Sequence, residues 1–384
     1  MSKRDDSINH SLLDWIKQIT PPPAHVQITP TNECNLNCIF CWRHDIKKGK
    51  DHIPDDKLLS LTREACAFQP DLITITGGGE PLLKPDVVIS MASIIKQHAS
   101  IRGEIITNGT LFDKEIVKKL ISLKWDLISI SINASTESLD DFLRGRNGTY
   151  EKTIEGLEIF VKFKRKFNSP FPHLKFNVVI TKHNYNDVQN MVNFAAEYNA
   201  SIQVRLVNEQ PGSGRPLCIP AENYEEFKKE LKNAENLAHS KHVDFYKDFT
   251  EKDVKYYLNL ERSGDVKGII SGNQLSEREV MEALKNGKIH DIAVCTFPFT
   301  EINVFANGYA APCGGFFQGV PEEYPESDLE IIESVEGKSL REIWYGEKFN
   351  RMRALMLLHH FPRACLACNV NFINVSRIFR GFVH

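Results

Sequence analysis

Cys34-Asn-Leu-Asn-Cys38-Ile-Phe-Cys41 is the stretch around which this chain is organised. Three residues separate the first two thiols and two separate the second pair. They can converge on one metal centre only if the backbone turns tightly, and Asn35 and Asn37 favour such a loop. Cysteine sulfur binds iron–sulfur clusters or zinc, and three ligands leave one metal position open for chemistry. The stretch therefore predicts a metal centre with an open site.

Two kinds of metal centre fit these three thiols. One is a structural zinc site in which His44, three residues beyond Cys41, completes a shell of three cysteines and one histidine. The other is a [4Fe–4S] cluster whose fourth iron is reserved for a small molecule. Spacing alone leaves both open, and the residues downstream favour the cluster.

Apolar segments alternate with helical segments along the chain after this loop. The predicted strands are 25–30, 72–76, 103–107, 126–132, 174–180 and 202–207. The predicted helices are 8–18, 55–67, 86–98, 113–122, 137–144, 151–165 and 185–198. Strands that alternate with helices indicate parallel βα units. Six such units predict an α/β fold, a partial (β/α)6 TIM-like barrel, with the cysteine loop at the carboxyl end of its first strand.

Glycine-rich and polar segments stand where three of these strands end. The second strand runs into Gly77-Gly-Gly-Glu80-Pro81, the third into Thr107-Asn108-Gly109, and the fourth into Ser131-Ile-Asn133. Ligands of parallel βα folds collect at the carboxyl ends of the strands, and glycine lets main chain pass close to a ligand. Each segment alone is an ordinary turn signal, and Asn108 is either a turn former or a pocket residue. Next to the cysteine loop, the three segments predict one pocket.

These motifs together closely resemble those of the radical S-adenosylmethionine superfamily. Its CxxxCxΦC motif is present as Cys34, Cys38, Phe40 and Cys41, and its GGE motif as Gly78-Gly79-Glu80. In that family the three cysteines hold a [4Fe–4S] cluster, and S-adenosylmethionine chelates the open iron. Reductive cleavage of S-adenosylmethionine gives a 5′-deoxyadenosyl radical that abstracts hydrogen from the substrate. The resemblance covers residues 24–208 and implies these cofactors here, together with an electron donor such as flavodoxin or ferredoxin.

The resemblance also implies roles for single residues of the pocket. Phe40 would meet the adenine, Gly78 to Glu80 would contact the methionyl amino group, and Ser131 would lie near the ribose. Arg144 is the expected partner of the methionyl carboxylate, with Arg146 as its rival.

A second set of thiols, Cys295, Cys313, Cys365 and Cys368, stands near the end of the chain. Asn307-Gly308 between apolar runs predicts a hairpin that brings the first two together. A helix is predicted from Ser339 to Leu358, before the last two. Four thiols can close a shell around a cluster or around structural zinc, and spacing leaves both open.

The spacing of these four cysteines is similar to that of the auxiliary-cluster modules called Twitch and SPASM. The resemblance implies a small C-terminal α+β domain that holds one auxiliary [4Fe–4S] cluster. In related dehydrogenases this cluster takes the electron left on the substrate radical. The resemblance therefore implies two-electron oxidation of a hydroxyl-bearing small molecule, such as a sugar or cyclitol. The alternatives are radical epimerisation with Cys218 as hydrogen donor, maturation of a ribosomally made peptide, and a non-catalytic iron–sulfur or zinc redox sensor.

Composition and charge limit the class of protein. Hydrophobic residues make up 42% and charged residues 25%, which is ordinary for a soluble globular protein. The formal net charge is −3, from 47 basic and 50 acidic residues, without a basic stripe, so nucleic acid is not an expected partner. The sequence shows neither a signal peptide nor a run of ~18 apolar residues, so we expect a cytoplasmic protein without a membrane partner.

The expected organisation has four parts. They are an N-terminal helix and proline-rich lead-in at 1–23, the barrel at 24–210, a helical segment at 211–290 and the auxiliary-cluster domain at 291–384. The helical segment, with helices predicted at 222–238, 251–262 and 276–286, either connects the domains or caps the substrate. Cys66 is expected to be a core thiol. The substrate is not readable, although six residues near strand ends are candidates to line its pocket: Asn133, Asn177, Gln203, Arg205, Asn208 and Glu209.

Overall fold

The computed structural model describes residues 10–45, 53–207, 215–249, 275–286, 295–314 and 330–360. Its strands, in chain order, are β1 (His25–Ile28), β2 (Leu72–Ile75), β3 (Arg102–Thr107), β4 (Leu127–Ser131), β5 (His173–Ile180), β6 (Ala200–Leu206), β7 (Phe245–Lys247), β8 (Glu301–Val304), β9 (Tyr309–Ala311) and β10 (Glu333–Ser334). They form one sheet in the order β10-β9-β8-β1-β2-β3-β4-β5-β6-β7. Neighbours from β8 to β7 in that order are parallel, which confirms the predicted α/β barrel architecture.

Helices follow most of these strands. They are α1 (His10–Ile19), α2 (Asp55–Ala67), α3 (Pro85–Ile95), α4 (Lys114–Ser122), α5 (Glu137–Arg144), α6 (Thr149–Lys166), α7 (Val188–Glu197), α8 (Tyr224–Ser240), α9 (Glu277–Lys285), α10 (Phe297–Thr300), α11 (Leu340–Trp344) and α12 (Glu347–Leu357). In the described ranges, no helix combines the length and the apolar character that a membrane crossing requires.

Apolar and polar side chains alternate along the strands, so that one face of the sheet forms the core and the other forms the inner face of the barrel. One row of register partners is fully buried: Ile28, Ile75, Ile105 and Ile128. The row one position earlier lies on the opposite face: Gln27, Thr74 and Glu104. Because successive side chains of a strand point to opposite sides, the isoleucines pack under the helices and the polar row lines the inside. Burial of each isoleucine contributes about 1.5–3 kcal/mol to folding.

The sheet is larger than the six predicted strands. β7 pairs with β6 inside the middle segment, where only helices were predicted, because three residues are too short to show a period. The predicted hairpin around Asn307-Gly308 is confirmed, since β8 and β9 are antiparallel and Gly308 has a φ of +89°. However, β8 also pairs in parallel with β1, so the C-terminal hairpin continues the barrel sheet.

The middle segment contains two described helices, α8 and α9, and α9 confirms the helix predicted at 276–286. The first of them, α8, packs against α7. The Tyr185 hydroxyl donates to Glu226 Oε2 at 2.9 Å, and Gln189 Nε2 donates to Glu230 Oε2 at 2.6 Å. Together with β7, α8 therefore adds one more helix–strand unit to the barrel. The helix predicted at 251–262 lies outside the described residues.

The prediction of one continuous helix from Ser339 to Leu358 is wrong. The chain forms α11, breaks at Gly346 and continues as α12. A Cβ on Gly346 would lie 2.6 Å from the Glu342 carbonyl oxygen, so the break depends on a residue without a side chain. Helical periodicity on both sides of the break concealed it from sequence reasoning.

Candidate functional site

The glycine turn after β2 lies against the residues that lead into the cysteine loop. Gly79 N donates to the Thr31 carbonyl at 3.1 Å, and Glu80 N donates to the Glu33 carbonyl at 2.7 Å. A Cβ on Gly79 would stand 1.8 Å from the Glu33 oxygen. The absence of a side chain at Gly79 was expected to let the backbone pass close to a ligand. In the structure it lets the glycine turn pass close to the backbone that leads into the cysteine loop.

The carboxyl end of α5 holds the same loop from another side. Ile39 N donates to the Leu143 carbonyl at 2.9 Å, and Asn37 N donates to the Arg144 carbonyl. Gly145 ends the helix with a φ of +65°, and a Cβ there would lie 2.1 Å from the Asn37 carbonyl oxygen. The left-handed helix end therefore lets the loop pass over it.

A third set of contacts comes from the loop after β3. Asn108 Nδ2 donates to Asn35 Oδ1 at 2.8 Å, and Asn35 Nδ2 donates to Thr110 Oγ1 at 2.9 Å. Arg146 Nη1 donates to the Asn35 carbonyl at 2.7 Å. Sequence reasoning missed the role of the Asn35 side chain. The polar residues of both loops were visible, but not their pairing.

Glu80 joins the turn after β2 to the loop after β3. Its side chain is almost fully buried; Oε1 accepts from Thr107 Oγ1 at 2.6 Å and from Leu82 N at 3.0 Å, and Oε2 accepts from Asn108 N at 2.7 Å. Burial raises the pKa of Glu80, while these hydrogen bonds oppose the rise. The contact of Glu80 with a methionyl amino group stays a prediction.

Glu80→Gln should weaken this junction. The glutamine side chain replaces one carboxylate oxygen by an NH₂ group, which would face the Thr107, Leu82 or Asn108 donors. Two donors cannot pair, and a buried unsatisfied group costs about 1–3 kcal/mol. We expect denaturant unfolding to show a loss of stability of that size. Glu115→Gln, which changes an exposed carboxylate on α4 that pairs with Lys118, is the matched control and should change stability by less than about 0.5 kcal/mol. Equal effects of both variants would contradict the role given to Glu80.

Arg144, the last residue of α5, is buried. Its Nη1 donates to Asp140 Oδ2 at 3.1 Å and to Thr153 Oγ1 at 3.0 Å, and its Nη2 donates to the Asn108 carbonyl. Among the described residues, Arg144 Nε and Asn133 Nδ2 are buried donors without a hydrogen-bond partner. Two orphaned donors fit the carboxylate and hydroxyl oxygens of a polar cofactor. The assignment of the carboxylate to Arg144 or Arg146 stays a prediction.

The three thiols of the loop differ in exposure: Cys34 is exposed, and Cys38 and Cys41 are half-buried. Burial raises the pKa of Cys38 to about 12, and the neighbouring Cys41 adds to the rise. A thiolate in this place at neutral pH requires bound cationic charge, and metal binding supplies it. One ring nitrogen of His44 lies 2.9 Å from the Cys38 carbonyl oxygen.

The arrangement of the loop thiols does not by itself distinguish a zinc shell from a cluster. In the described residues, no group of three or more His, Cys, Asp or Glu side chains is arranged to hold a single metal ion, and this applies to the three thiols alone as well as to the shell with His44. The all-sulfur donor set of the loop and the orphaned donors beside it fit a [4Fe–4S] cluster and S-adenosylmethionine.

Phe40 and Ser131 are the other two expected cofactor contacts. Phe40 follows Ile39 and packs, half-buried, against the main core, and Ser131 ends β4 beside Asn177 of β5. Of the other pocket candidates, Gln203 is the β6 partner of Asn177, and Arg205 pairs with Asp248 on the surface. Asn208 and Glu209 lie outside the described residues. Their roles stay predictions.

Cys295 and Cys313 lie on one apolar cluster that includes Phe305, Met352 and Met356. Both thiols are half-buried, and the β8–β9 hairpin lies between them in the chain. The other two predicted ligands, Cys365 and Cys368, are outside the described residues.

The two remaining cysteines differ in setting. Cys66 is fully buried on α2, which confirms it as a core thiol, and burial raises its pKa to about 11. Cys218 is half-buried next to Leu217, whose carbonyl accepts from Lys182 N at 2.8 Å in the loop after β5. Its role as a hydrogen donor stays a prediction.

Comparison with known proteins identifies two domains. The family model of the radical SAM superfamily matches residues 28–195, and that of the SPASM iron–sulfur cluster-binding domain matches residues 295–369. These domains imply S-adenosylmethionine, a [4Fe–4S] cluster and an auxiliary iron–sulfur cluster as cofactors.

Relatives of several functions each match about half of this chain. The AdoMet-dependent heme synthase of Methanosarcina barkeri is 31% identical over 188 residues, 47% of this chain and 50% of the synthase. The mycofactocin maturase MftC of Mycolicibacterium smegmatis is 24% identical over 174 residues, 45% of this chain and 42% of the maturase. The chain thus spans about half the length of the curated relatives it matches.

A solved structure shares the fold over almost the whole chain. Streptococcus suis SuiB bound to its precursor peptide SuiA superposes with a TM-score of 0.62 at 18% identity, covering 97% of this chain and 78% of SuiB. At this identity the likeness shows the fold alone. The motifs, the barrel and the two domain matches agree, and the chain belongs to the radical S-adenosylmethionine superfamily, with a C-terminal SPASM-type auxiliary-cluster domain.

Proposed function

We propose that this chain is a radical S-adenosylmethionine oxidoreductase that removes two electrons from a hydroxyl-bearing small molecule such as a sugar or cyclitol. The observation that carries the proposal is the attachment of the second thiol set to the barrel. Cys295 and Cys313 flank the hairpin whose first strand pairs with β1, the strand that leads into the cysteine loop. An electron acceptor held by these thiols would be attached to the strand that leads into the radical site.

The residues of the first site would bind and orient the cofactors. When bound, S-adenosylmethionine and its [4Fe–4S] cluster supply an organic radical that abstracts hydrogen from an unactivated carbon. Cys34, Cys38 and Cys41 would hold the cluster, and the orphaned donors of Asn133 and Arg144 would bind oxygen atoms of S-adenosylmethionine. A one-electron donor such as flavodoxin or ferredoxin would reduce the site.

The inner face of the barrel supports a polar substrate without net charge. Lys175 Nζ lies 2.8 Å from Glu104 Oε1, and His25 Nδ1 lies 3.3 Å from Glu301 Oε2. Lys175 and Glu104 carry opposite charges that offset each other, so this part of the inner face offers hydrogen-bonding groups without a large net charge. Such a wall favours hydroxyl groups over a strongly charged ligand.

Oxidative modification of a peptide is the second candidate. The similarity to mycofactocin maturase and the fold shared with a peptide-bound SuiB favour it. Candidate substrates that carry deuterium at the reacting carbon distinguish the two candidate functions. Transfer of deuterium into 5′-deoxyadenosine from a sugar or cyclitol supports the first proposal, and transfer only from a peptide supports the second.

Replacing Cys295 and Cys313 by alanine should separate the two clusters experimentally. Each [4Fe–4S] cluster holds four irons, so the iron content should fall from about eight to about four per chain. We expect 5′-deoxyadenosine formation to persist with dithionite as reductant, because the first site is intact, and the two-electron product to be lost. Iron analysis and product quantification check these outcomes.

Cys218→Ala is the matched control for that double variant. It removes a half-buried thiol outside both ligand sets and should leave iron and product unchanged. If the intact protein instead gives a redox-neutral epimer and Cys218→Ala stops its formation, radical epimerisation with Cys218 as donor replaces oxidation as the function. If the double variant keeps its product, the auxiliary cluster is not the electron acceptor.

A further inference from the structure

Asp140 and Arg144 form a buried ion pair on α5, four residues apart. Arg144 Nη1 lies 3.1 Å from Asp140 Oδ2, and the two side chains are 1% and 0% exposed for Arg144 and Asp140. Arg144 Nη1 also donates to Thr153 Oγ1 at 3.0 Å, and Asp140 Oδ1 accepts from Asn133 N at 2.8 Å. Both charges are therefore held in fixed places away from water, where solvent ions screen them much less than they screen surface charges.

Arg144 reaches the cysteine loop by two routes. Its carbonyl accepts from Asn37 N at 3.4 Å, directly before Cys38. Its Nη2 donates to the Asn108 carbonyl, and Asn108 Nδ2 donates to Asn35 Oδ1 at 2.8 Å. The backbone and the guanidinium of Arg144 are thus both connected to the part of the loop that carries Cys38, which places a buried positive charge next to this thiol.

Asp140 stands farther from the loop than Arg144 does. The loop contacts the end of α5, where the Leu143 carbonyl accepts from Ile39 N at 2.9 Å, and Asp140 lies about 6 Å earlier along the helix axis than Arg144. Burial raises the pKa of the Cys38 thiol most; the Arg144 charge opposes this rise and the Asp140 charge adds to it. The ion pair therefore presents its positive end to the loop.

Glu80 and Arg43 are further buried charges at the same loop. Glu80 is hydrogen-bonded in the glycine turn, and Arg43, two residues beyond Cys41, donates to the Asn32 carbonyl. Neither is a partner in the Asp140–Arg144 ion pair. Substitutions in the pair leave both side chains in place, so their effect on the loop is common to every variant of the pair.

We propose that the Asp140–Arg144 pair adjusts the reduction potential of the cluster on Cys34, Cys38 and Cys41: the Arg144 charge raises the potential, and Asp140 limits the rise. Reduction moves one electron from the external donor to the cluster, so a positive charge nearby favours the reduced form. The pair would thus make this transfer more favourable. The proposal rests on these three thiols as cluster ligands, and on neither the substrate nor the second set of thiols.

A redox titration followed by EPR tests the proposal without a substrate. The full-length protein with reconstituted clusters is titrated anaerobically without S-adenosylmethionine, and the first cluster is identified by the change of its signal when S-adenosylmethionine is then added. Asp140→Asn keeps an oxygen for Asn133 N but removes the counterion of Arg144. We expect the ratio of reduced to oxidised cluster at a fixed potential to rise about tenfold, which is about 59 mV for one electron.

Asp140→Asn/Arg144→Gln removes both charges and should give the opposite result. The ratio should fall at least about threefold below that of the unmodified protein, because the nearer, positive charge is lost. This double variant leaves no unpaired buried charge in the pair, so it keeps the test decisive if Asp140→Asn does not load its cluster. Arg144→Lys retains the charge and should keep the ratio close to that of the unmodified protein.

Thr153→Val is the matched control. It removes a hydrogen-bond acceptor of Arg144 and leaves both charges, so we expect lower stability and an unchanged potential. A potential that is equal in all variants, or that falls in Asp140→Asn, would overturn the proposal and leave the pair with a structural role alone. If no cluster signal of the unmodified protein responds to S-adenosylmethionine, the first site itself fails, and this assay shows that failure separately.

Discussion

Cys34→Ala/Cys38→Ala/Cys41→Ala is expected to abolish 5′-deoxyadenosine formation. The three thiols are the only cysteines of the loop after β1, and without them no sulfur ligands remain there. The protein should keep the iron of its auxiliary cluster, so the content should fall from about eight to about four per chain. Iron analysis and chromatography after incubation with dithionite and S-adenosylmethionine measure both effects.

Cys66→Ala provides the control for this triple variant. It removes a fully buried thiol from α2 and creates a small cavity, which lowers stability by about 1 kcal/mol without removing a ligand. Its iron content and 5′-deoxyadenosine yield should equal those of the unmodified protein. If the triple variant still forms 5′-deoxyadenosine, the radical site lies elsewhere. If the intact protein with both clusters loaded forms none, the redox-sensor alternative gains support.

Gly79→Ala is expected to be nearly as damaging, although it removes no ligand. A Cβ at this position would stand 1.8 Å from the Glu33 carbonyl oxygen and 2.7 Å from the Asn32 carbonyl carbon. Backbone must therefore move, and it is the backbone that leads directly into Cys34. A displacement of about 1 Å in a reacting geometry can cost about 100-fold in rate, and we expect at least that loss in 5′-deoxyadenosine formation.

Gly337→Ala separates this clash from a general effect of replacing glycine. Gly337 has a φ of +68°, and a Cβ there meets nothing within 4 Å. The left-handed backbone should cost about 1–2 kcal/mol of stability, with iron content and 5′-deoxyadenosine yield unchanged. If Gly79→Ala loses only a comparable amount of stability and keeps its activity, the close packing of the glycine turn on the cysteine loop is not required for function.

Much of the fold and of the first site could be predicted because its signals are local. The cysteine loop and Gly77 to Glu80 are short motifs, and each strand from β1 to β6 carries its own apolar alternation. The carboxyl ends of parallel strands meet at one edge, so the order of the motifs indicated a common site. The break at Gly346 was missed because periodicity continues on both sides of it.

The sequence by itself determined the chemistry: which residues could hold a cluster, that the strands would be parallel, and that the loops after them would share one end of a barrel. Only the tertiary structure decided which groups meet. It placed Gly79 against the Glu33 backbone, and it paired His25 with Glu301 across most of the chain. Motifs and periodicity arise from neighbours in sequence, whereas these contacts depend on how distant strands align, and a linear pattern carries no record of that alignment.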